Sequence, residues 1–366
     1  MPIEVESPEQ LGYDSIACNL AESSVSDAVY GNLGLDLGKL VLCYGDHYGK
    51  PELREWIASQ TEGLKKEEVL LTAGAAAALF IISTSLLERE DHLVVMSPNY
   101  ATNIETPRAI GCGISYLDLS FENDFRPDLE KLLSLIRPNT RLISITCPHN
   151  PTGMMLTPAE LKELIRIAEE KDLWLLVDET YRDLTHGTKL PLAASLSQKV
   201  ISVSSVSKAF GLPGIRLGWI ICRNKALQDL FLAAKEQIYV CNSVVDEEIA
   251  HSFLLRSASF LPSIQSQVKE NFSFLSHWME RTPELEWVKP EGGVVCFPRI
   301  RQDASIDVER FYHILNKNYK TYTGPGHWFE QDRRYMRIGF GWPGKAELAE
   351  GLKNVRLALK EAVKRS

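Results

Sequence analysis

Five short apolar runs alternate with stretches of helical periodicity between residues 92 and 203, and this alternation constrains the fold more than any other feature. The runs occupy residues 92–97 (HLVVMS), 114–119 (ISYLDL), 141–146 (RLISIT), 173–177 (LWLLV) and 200–203 (VISV). A strand that is apolar on both faces must be covered on both faces. Strands of this kind separated by helices form a mostly parallel sheet with helices above and below. The helical signals between them are specific. Thr157-Pro-Ala-Glu160 is a capping box with proline at the first helical position, followed by Leu161, Leu164, Ile165 and Ala168 on one face. Pro51 likewise opens a helix carrying Leu53, Ile57 and Ala58. Residues 69–74 read as a strand running into a helix over 75–87, and residues 217–222 as a further buried strand.

The texture changes after about residue 245. Residues 246–281 predict one or two long amphipathic helices. Residues 292–298 and 335–340 predict strands of an antiparallel sheet, and 345–365 a charged terminal helix with Leu348, Leu352, Val355 and Leu359 on its apolar side. The expected fold class is α/β: a three-layer, mostly parallel sheet with a smaller α+β domain. The large domain is expected over residues 46–255. The small one combines residues 1–45, read as irregular, with 256–366.

Composition narrows the function classes. The chain has 366 residues, 24% of them charged, and a net charge of −8 without a basic stripe, so nucleic acid is not an expected partner. No apolar run is long enough to span a bilayer, and the acidic start MPIEVESPEQLGYDS has no apolar core of the signal-peptide kind. The seven cysteines are scattered, odd in number and free of Cys-x-x-Cys pairs. They read as buried free thiols of a cytoplasmic protein, with neither a disulfide framework nor a metal site.

On a doubly covered parallel sheet, ligands gather at the carboxyl ends of the strands. The polar residues Tyr100, Asn150, Asp178, Tyr181 and Ser205 to Lys208 all fall at those ends. The stretch Ser205-Val-Ser-Lys208-Ala-Phe-Gly-Leu-Pro-Gly-Ile-Arg216 combines an amine, two hydroxyls and a fixed cation. A lysine of lowered pKa forms Schiff bases, and arginine grips phosphate in a planar fork. These groups suit an aldehyde cofactor carrying a phosphate. The Gly74-Ala75-Ala76 junction offers backbone amides at a helix start, which suits an anion, although an alanine-rich helix also packs closely on its neighbours. No Gly-x-Gly-x-x-Gly or Walker loop supports a nucleotide-binding enzyme.

Together the pieces resemble the fold-type-I, class I/II aminotransferases that use pyridoxal 5′-phosphate. The resemblance runs from Tyr44 to Arg337. It includes Gly49, Leu53-Arg54, Gly74, Tyr100, His149-Asn150-Pro-Thr-Gly153, Asp178 with Tyr181, Ser205-x-Ser-Lys208 and Arg216. Gaps of 28, 30 and 8 residues separate Asn150, Asp178, Lys208 and Arg216. The resemblance implies that Lys208 holds the cofactor as a Schiff base and later shuttles a proton. Asp178 would pair with the pyridine nitrogen, and Tyr181 and Asn150 would bond the phenolic oxygen. Tyr100 would stack on the ring. Ser205, Ser207, Arg216 and the amides of Gly74, Ala75 and Ala76 would hold the phosphate. Arg337 would bind the substrate α-carboxylate, with Asn150 nearby. Tyr44 would reach the phosphate in a neighbouring subunit, which implies a homodimer with shared active sites.

The implied reaction moves an amino group from an α-amino acid to a 2-oxo acid. The alternative is an oxidase, cyclase or lyase with the same cofactor, acting on a cationic amino acid such as arginine. Intact Lys208 and Asp178 argue against a non-catalytic protein. Two features qualify the match. No side-chain hydroxyl follows Gly74, and His149 reads as structural. Glu22 and Asp27 lie in the segment that covers the substrate in relatives. If one faces the pocket, a cationic side chain is favoured; otherwise both are solvated acids.

Overall fold

The computed structural model describes residues 5–364; residues 1–4 and 365–366, which belong to the expected small domain and to the acidic N-terminal stretch, lie outside the described residues. Seven strands form the main sheet: β1 (Val69–Thr72), β2 (His92–Ser97), β3 (Gly113–Asp118), β4 (Thr140–Thr146), β5 (Trp174–Asp178), β6 (Val200–Ser205) and β7 (Gly218–Cys222). Their order is β1-β7-β6-β5-β4-β2-β3. Strands β2 to β6 pair in parallel, and β7 runs antiparallel between β6 and β1. Helices α1 (Pro51–Ala58), α2 (Gly74–Leu86), α3 (Thr102–Ile110), α4 (Leu129–Leu135) and α5 (Pro158–Glu170) occupy the connections.

The double apolar character of the strands is used on both sides. Leu175 and Val177 of β5 enter one core with Leu161, Leu164 and Ile165 of α5. Leu176, between them, enters a second core with Ala78, Leu79 and Ile82 of α2. Each such buried aliphatic side chain stabilises the fold by roughly 1.5–3 kcal/mol. The capping box forms as read: Glu160 N–H donates to Thr157 Oγ1 (3.1 Å) and Thr157 N–H to Glu160 Oε2 (2.6 Å). Among β4, β5 and β6 the register pairs Thr146 with Asp178 and Asp178 with Val203, so their carboxyl ends lie side by side.

Beyond the sheet come α6 (Lys225–Tyr239), α7 (Val244–Leu254) and α8 (Ser257–Met279), of which α7 and α8 are the two helices where 246–281 allowed one or two. Strands β8 (Val295–Cys296), β9 (Gly324–Pro325) and β10 (Met336–Gly339) form an antiparallel sheet in the order β8-β10-β9. Helix α9 spans Lys345–Glu361 and stops short of residue 365.

The N-terminal segment is more regular than its composition suggests. It includes a short helix, Pro8–Leu11, and Cys18–Asn19 pairs in parallel with Thr321–Tyr322. Long-range pairing of this kind leaves no periodic trace in so short a stretch. The thiols are all free, but Cys43 is exposed and Cys241 half-buried, contrary to the expectation that the cysteines are buried. Cys43 lies in an irregular stretch whose neighbours Val41 and Leu42 are also exposed.

Gly218 opens β7 against the start of α2. A Cβ there would lie 2.5 Å from Gly74 C, 2.7 Å from Ala75 N and 2.8 Å from Ser204 O, all backbone atoms that cannot rotate away. Gly218→Ala is expected to lose about 1–3 kcal/mol of unfolding free energy, read from urea denaturation. An unchanged midpoint would mean that this close approach is not required.

Candidate active site

The carboxyl ends of the parallel strands present the acidic and basic groups. Asp178 ends β5 and is buried. Its Oδ1 accepts hydrogen bonds from Thr180 N–H (3.0 Å) and Thr180 Oγ1 (2.6 Å). Burial pushes the carboxyl up, while Thr180 and the charge of Lys208 hold it down. Three residues on, the buried Tyr181 donates its hydroxyl to the Ser23 carbonyl (2.8 Å). Burial raises its pKa to about 12, so it remains a phenol at neutral pH. Lys208 follows β6 and is half-buried. Its Nζ donates to Ser23 Oγ at 3.0 Å. Burial lowers the pKa of this amine, and the cations Arg337 and Arg216 add to the shift against the opposing pull of Glu22 and Glu9.

Arg337 reaches the same place from β10. Its Nη1 donates to Asn150 Oδ1 (3.2 Å) and its Nη2 to the Ala21 carbonyl (2.7 Å), with the guanidinium carbon 5.1 Å from the Phe329 ring centroid. Residues 21–23 therefore form a strap on which Lys208, Tyr181 and Arg337 converge. The half-buried Glu22 lies at its middle and accepts a hydrogen bond from the Tyr13 hydroxyl (3.1 Å). Asp27 is exposed and accepts from Trp342 Nε1 (3.1 Å).

A second cluster surrounds the start of α2. Gly74 has a left-handed φ of +80°, and a Cβ on it would fall 2.7 Å from Arg216 Nη2, so the guanidinium lies directly against the helix entry. Arg216 itself has a left-handed φ of +45° and is braced by its own Nη1 donating to the Pro213 carbonyl (2.7 Å). No side chain caps this helix. The amides of its first turn and the adjacent cation make an anion cradle. Ser205 and Ser207 are buried, with Ser207 N–H donating to Ser205 Oγ (3.3 Å).

The remaining expected residues are placed less directly. Tyr100 is half-buried beyond the end of β2 and packs against the second core. Tyr44 is 83% exposed, and no hydrogen bond, ion pair or ring contact among the described residues ties it to Lys208. His149 is buried against Thr152 (Nδ1 to Oγ1, 2.8 Å) and burial lowers its pKa to about 4, so it is a neutral structural group. Tyr181 and Asn150 are bonded here to Ser23 and Arg337.

Sequence reasoning missed Ser23, Thr180 and Tyr239. An aspartate two residues before a threonine is an Asx-turn signal that could have found Thr180. Tyr239, whose hydroxyl accepts from Ala73 N–H at the entry of α2 (3.1 Å), carries no local signal.

Comparison with known proteins fixes the family. The model for aminotransferase class I and II matches residues 24–353. The chain belongs to the class I and II aminotransferases. A PLP-dependent aminotransferase from Streptococcus suis is similar in structure, with a TM-score of 0.91 and 29% identity over 99% of this chain and 98% of that one. Capreomycidine synthase of Streptomyces vinaceus is 28% identical over 93% of this chain and 89% of its own length. An aspartate aminotransferase of Pyrococcus horikoshii is 27% identical over 86% of this chain and 83% of its own length. This aminotransferase is thus a pyridoxal 5′-phosphate-dependent transferase of amino groups between an amino acid and a 2-oxo acid. Its residues fit that cofactor: the uncapped start of α2 beside Arg216 suits a phosphate, and the buried Asp178 suits a protonated ring nitrogen. No helix among the described residues is long and apolar enough to cross a membrane, and none of their acidic, histidine and cysteine side chains cluster as a metal site.

Proposed function

We propose that Lys208 is the catalytic base of this aminotransferase and that Arg337 selects α-amino acids. The observation that carries this reading is the convergence of Lys208, Tyr181 and Arg337 on residues 21–23. When bound, the cofactor supplies an aldehyde that takes the amino group and a ring that accepts the electron pair left on the α-carbon. Lys208 Nζ would hold the cofactor through its aldehyde carbon, and its low-pKa amine, when free, would accept the substrate α-proton and give it back. Asp178 would hold the proton on the ring nitrogen, and Tyr100 would cover the ring. Tyr181 and Asn150 would hold the phenolic oxygen. Ser205, Ser207, Arg216 and the amides of Gly74, Ala75 and Ala76 would hold the phosphate. Arg337 exchanges the Ala21 carbonyl for the substrate carboxylate, a charge-assisted bidentate contact.

Residues 46–255 form the cofactor domain in this reading, and residues 1–45 with 256–366 the small domain. The seven-stranded sheet within the first and the antiparallel sheet within the second support the division. Seven free thiols support a cytoplasmic setting. A homodimer is supported by the exposed apolar run Val41, Leu42 and Tyr44 (71%, 76% and 83%). Tyr44 in this arrangement serves the partner subunit's phosphate.

The donor side chain in this reading is cationic, because Glu22 is a half-buried carboxylate in the strap beside Arg337 and acts on Lys208 through its charge. Transamination is the favoured outcome. The likeness to a solved PLP-dependent cyclase, with a TM-score of 0.88 and 26% identity, supports a second reading, an oxidase, cyclase or lyase outcome on the same cationic substrate. A panel of amino acids with pyruvate or 2-oxoglutarate separates the two: only transamination yields an aminated acceptor in step with the matching 2-oxo acid.

Lys208→Ala is expected to lower turnover at least roughly 10³-fold. Asp178→Ala should still bind cofactor but turn over roughly 10²-fold more slowly. Near-normal rates in either variant would remove the corresponding role. Glu22→Gln should raise KM for arginine about tenfold or more and leave that for alanine unchanged; equal effects on both would remove the cationic preference. Lys208→Ala and Tyr44→Ala chains, refolded together, should recover activity at limiting cofactor beyond the sum of the two refolded separately. No recovery would argue against shared sites.

A further inference from the structure

Ser23 lies in a stretch read from sequence as irregular, yet its position is fixed from both sides. Leu20 N–H donates to the Tyr322 carbonyl (2.8 Å), Gly339 N–H to the Leu20 carbonyl (2.8 Å), and Val25 N–H to the Lys208 carbonyl (3.1 Å). A Cβ on Gly339 would fall 1.7 Å from the Glu22 carbonyl oxygen, so the strap lies directly on the backbone of β10. Ser23 is 5% exposed. Its carbonyl receives the Tyr181 hydroxyl and its hydroxyl receives Lys208 Nζ. Among the described residues this is the one hydrogen bond of Lys208 Nζ.

We propose that Ser23 is a further catalytic residue, whose hydroxyl holds Lys208 Nζ, the atom that carries the proton, in the orientation that proton transfer requires. The inference rests on the assignment of Lys208 as the base. A released lysine amine hangs on a flexible four-carbon stem, and its lone pair must point at the α-carbon to accept a proton. Tying one N–H to a fixed oxygen removes most of that freedom. The oxygen is fixed because the strap is anchored through Leu20 and Val25 on either side of it, contacts that remain when the Tyr181 hydroxyl turns to the cofactor. A carboxylate partner at this position would hold the amine charged and idle; a neutral hydroxyl orients it while favouring the charged form far less.

The sign of the electrostatic effect follows from the donor. Ser23 Oγ accepts more strongly from an ammonium than from a neutral amine, so it favours the charged form. The other groups acting on Lys208 are Arg337 of β10 and Arg216 before β7, which lower its pKa, and Glu22 of the strap and Glu9 of the Pro8–Leu11 helix, which raise it. Asp178 at the end of β5 also interacts with its charge. Removing the hydroxyl therefore moves the amine further down.

Two measurements on Ser23→Ala and Ser23→Thr test the proposal. The alanine variant keeps both backbone contacts, so the strap remains in place. In the cofactor-free protein, labelling of Lys208 by pyridoxal phosphate is trapped with borohydride across a pH series and read by peptide mass spectrometry. The expected midpoint for Ser23→Ala is lower by about half a unit to one unit, and Ser23→Thr restores it. In the loaded enzyme, turnover of an α-deuterated amino acid by Ser23→Ala is expected to fall about tenfold, with KM within about twofold and a larger isotope effect; Ser23→Thr should recover most of the rate. A wild-type midpoint together with a wild-type isotope effect in Ser23→Ala overturns the proposal. So does a threonine variant that behaves like alanine while unfolding at the wild-type temperature. Failure of the underlying assignment looks different: pyridoxal phosphate would label another lysine, or Lys208→Ala would turn over normally.

Discussion

Burial of the seven-stranded sheet on both faces is the constraint on which the rest of the molecule depends. Leu175 and Val177 face one core while Leu176 faces the other, and the neighbouring strands repeat the division. A strand with two dry faces has almost nowhere to carry an ionisable group except its ends, because an unpaired charge within either core is too costly. Asp178, Ser205 and the residues after β4 are consequently expelled to one edge of the sheet, where the parallel direction of the strands gathers them. The chemistry of this aminotransferase is a by-product of how its core is packed.

The edge alone does not make a site. Lys208, Tyr181 and Arg337 come from three regions of the chain and meet through a strap of three residues from a fourth. The strap uses backbone carbonyls and one hydroxyl rather than charged side chains. A backbone carbonyl is a neutral acceptor, so a carboxylate, which bonds a guanidinium more strongly through its charge, can take its place while the guanidinium stays satisfied.

The anion cradle at the start of α2 solves a related packing problem. The entry of α2 has only alanines after Gly74, so neither a side-chain cap nor a hydroxyl from that turn is on hand. Absence of side chains is what permits the close approach: Arg216 lies against Gly74 and the start of β7 against Gly74 and Ala75. The tyrosine that meets the N-terminal amide of Ala73 comes from the end of α6, far away in sequence.

Much of this was legible in the sequence, for identifiable reasons. Strands apolar on both faces, the capping box at Thr157 and the order of polar residues at the strand ends are local patterns, and local patterns survive in a one-dimensional string. They determined the α/β class, and the resemblance of the motifs in order determined the family and singled out Lys208, Asp178, Tyr181, Arg216 and Arg337. The pairing of Cys18–Asn19 with Thr321–Tyr322 and the contacts of Ser23 with Lys208 and of Tyr239 with Ala73 were decided only by tertiary structure. Each joins residues well over a hundred positions apart through a single hydrogen bond or a two-residue pairing. Such a contact needs a particular distance but no particular periodicity, so nothing in the local sequence announces it.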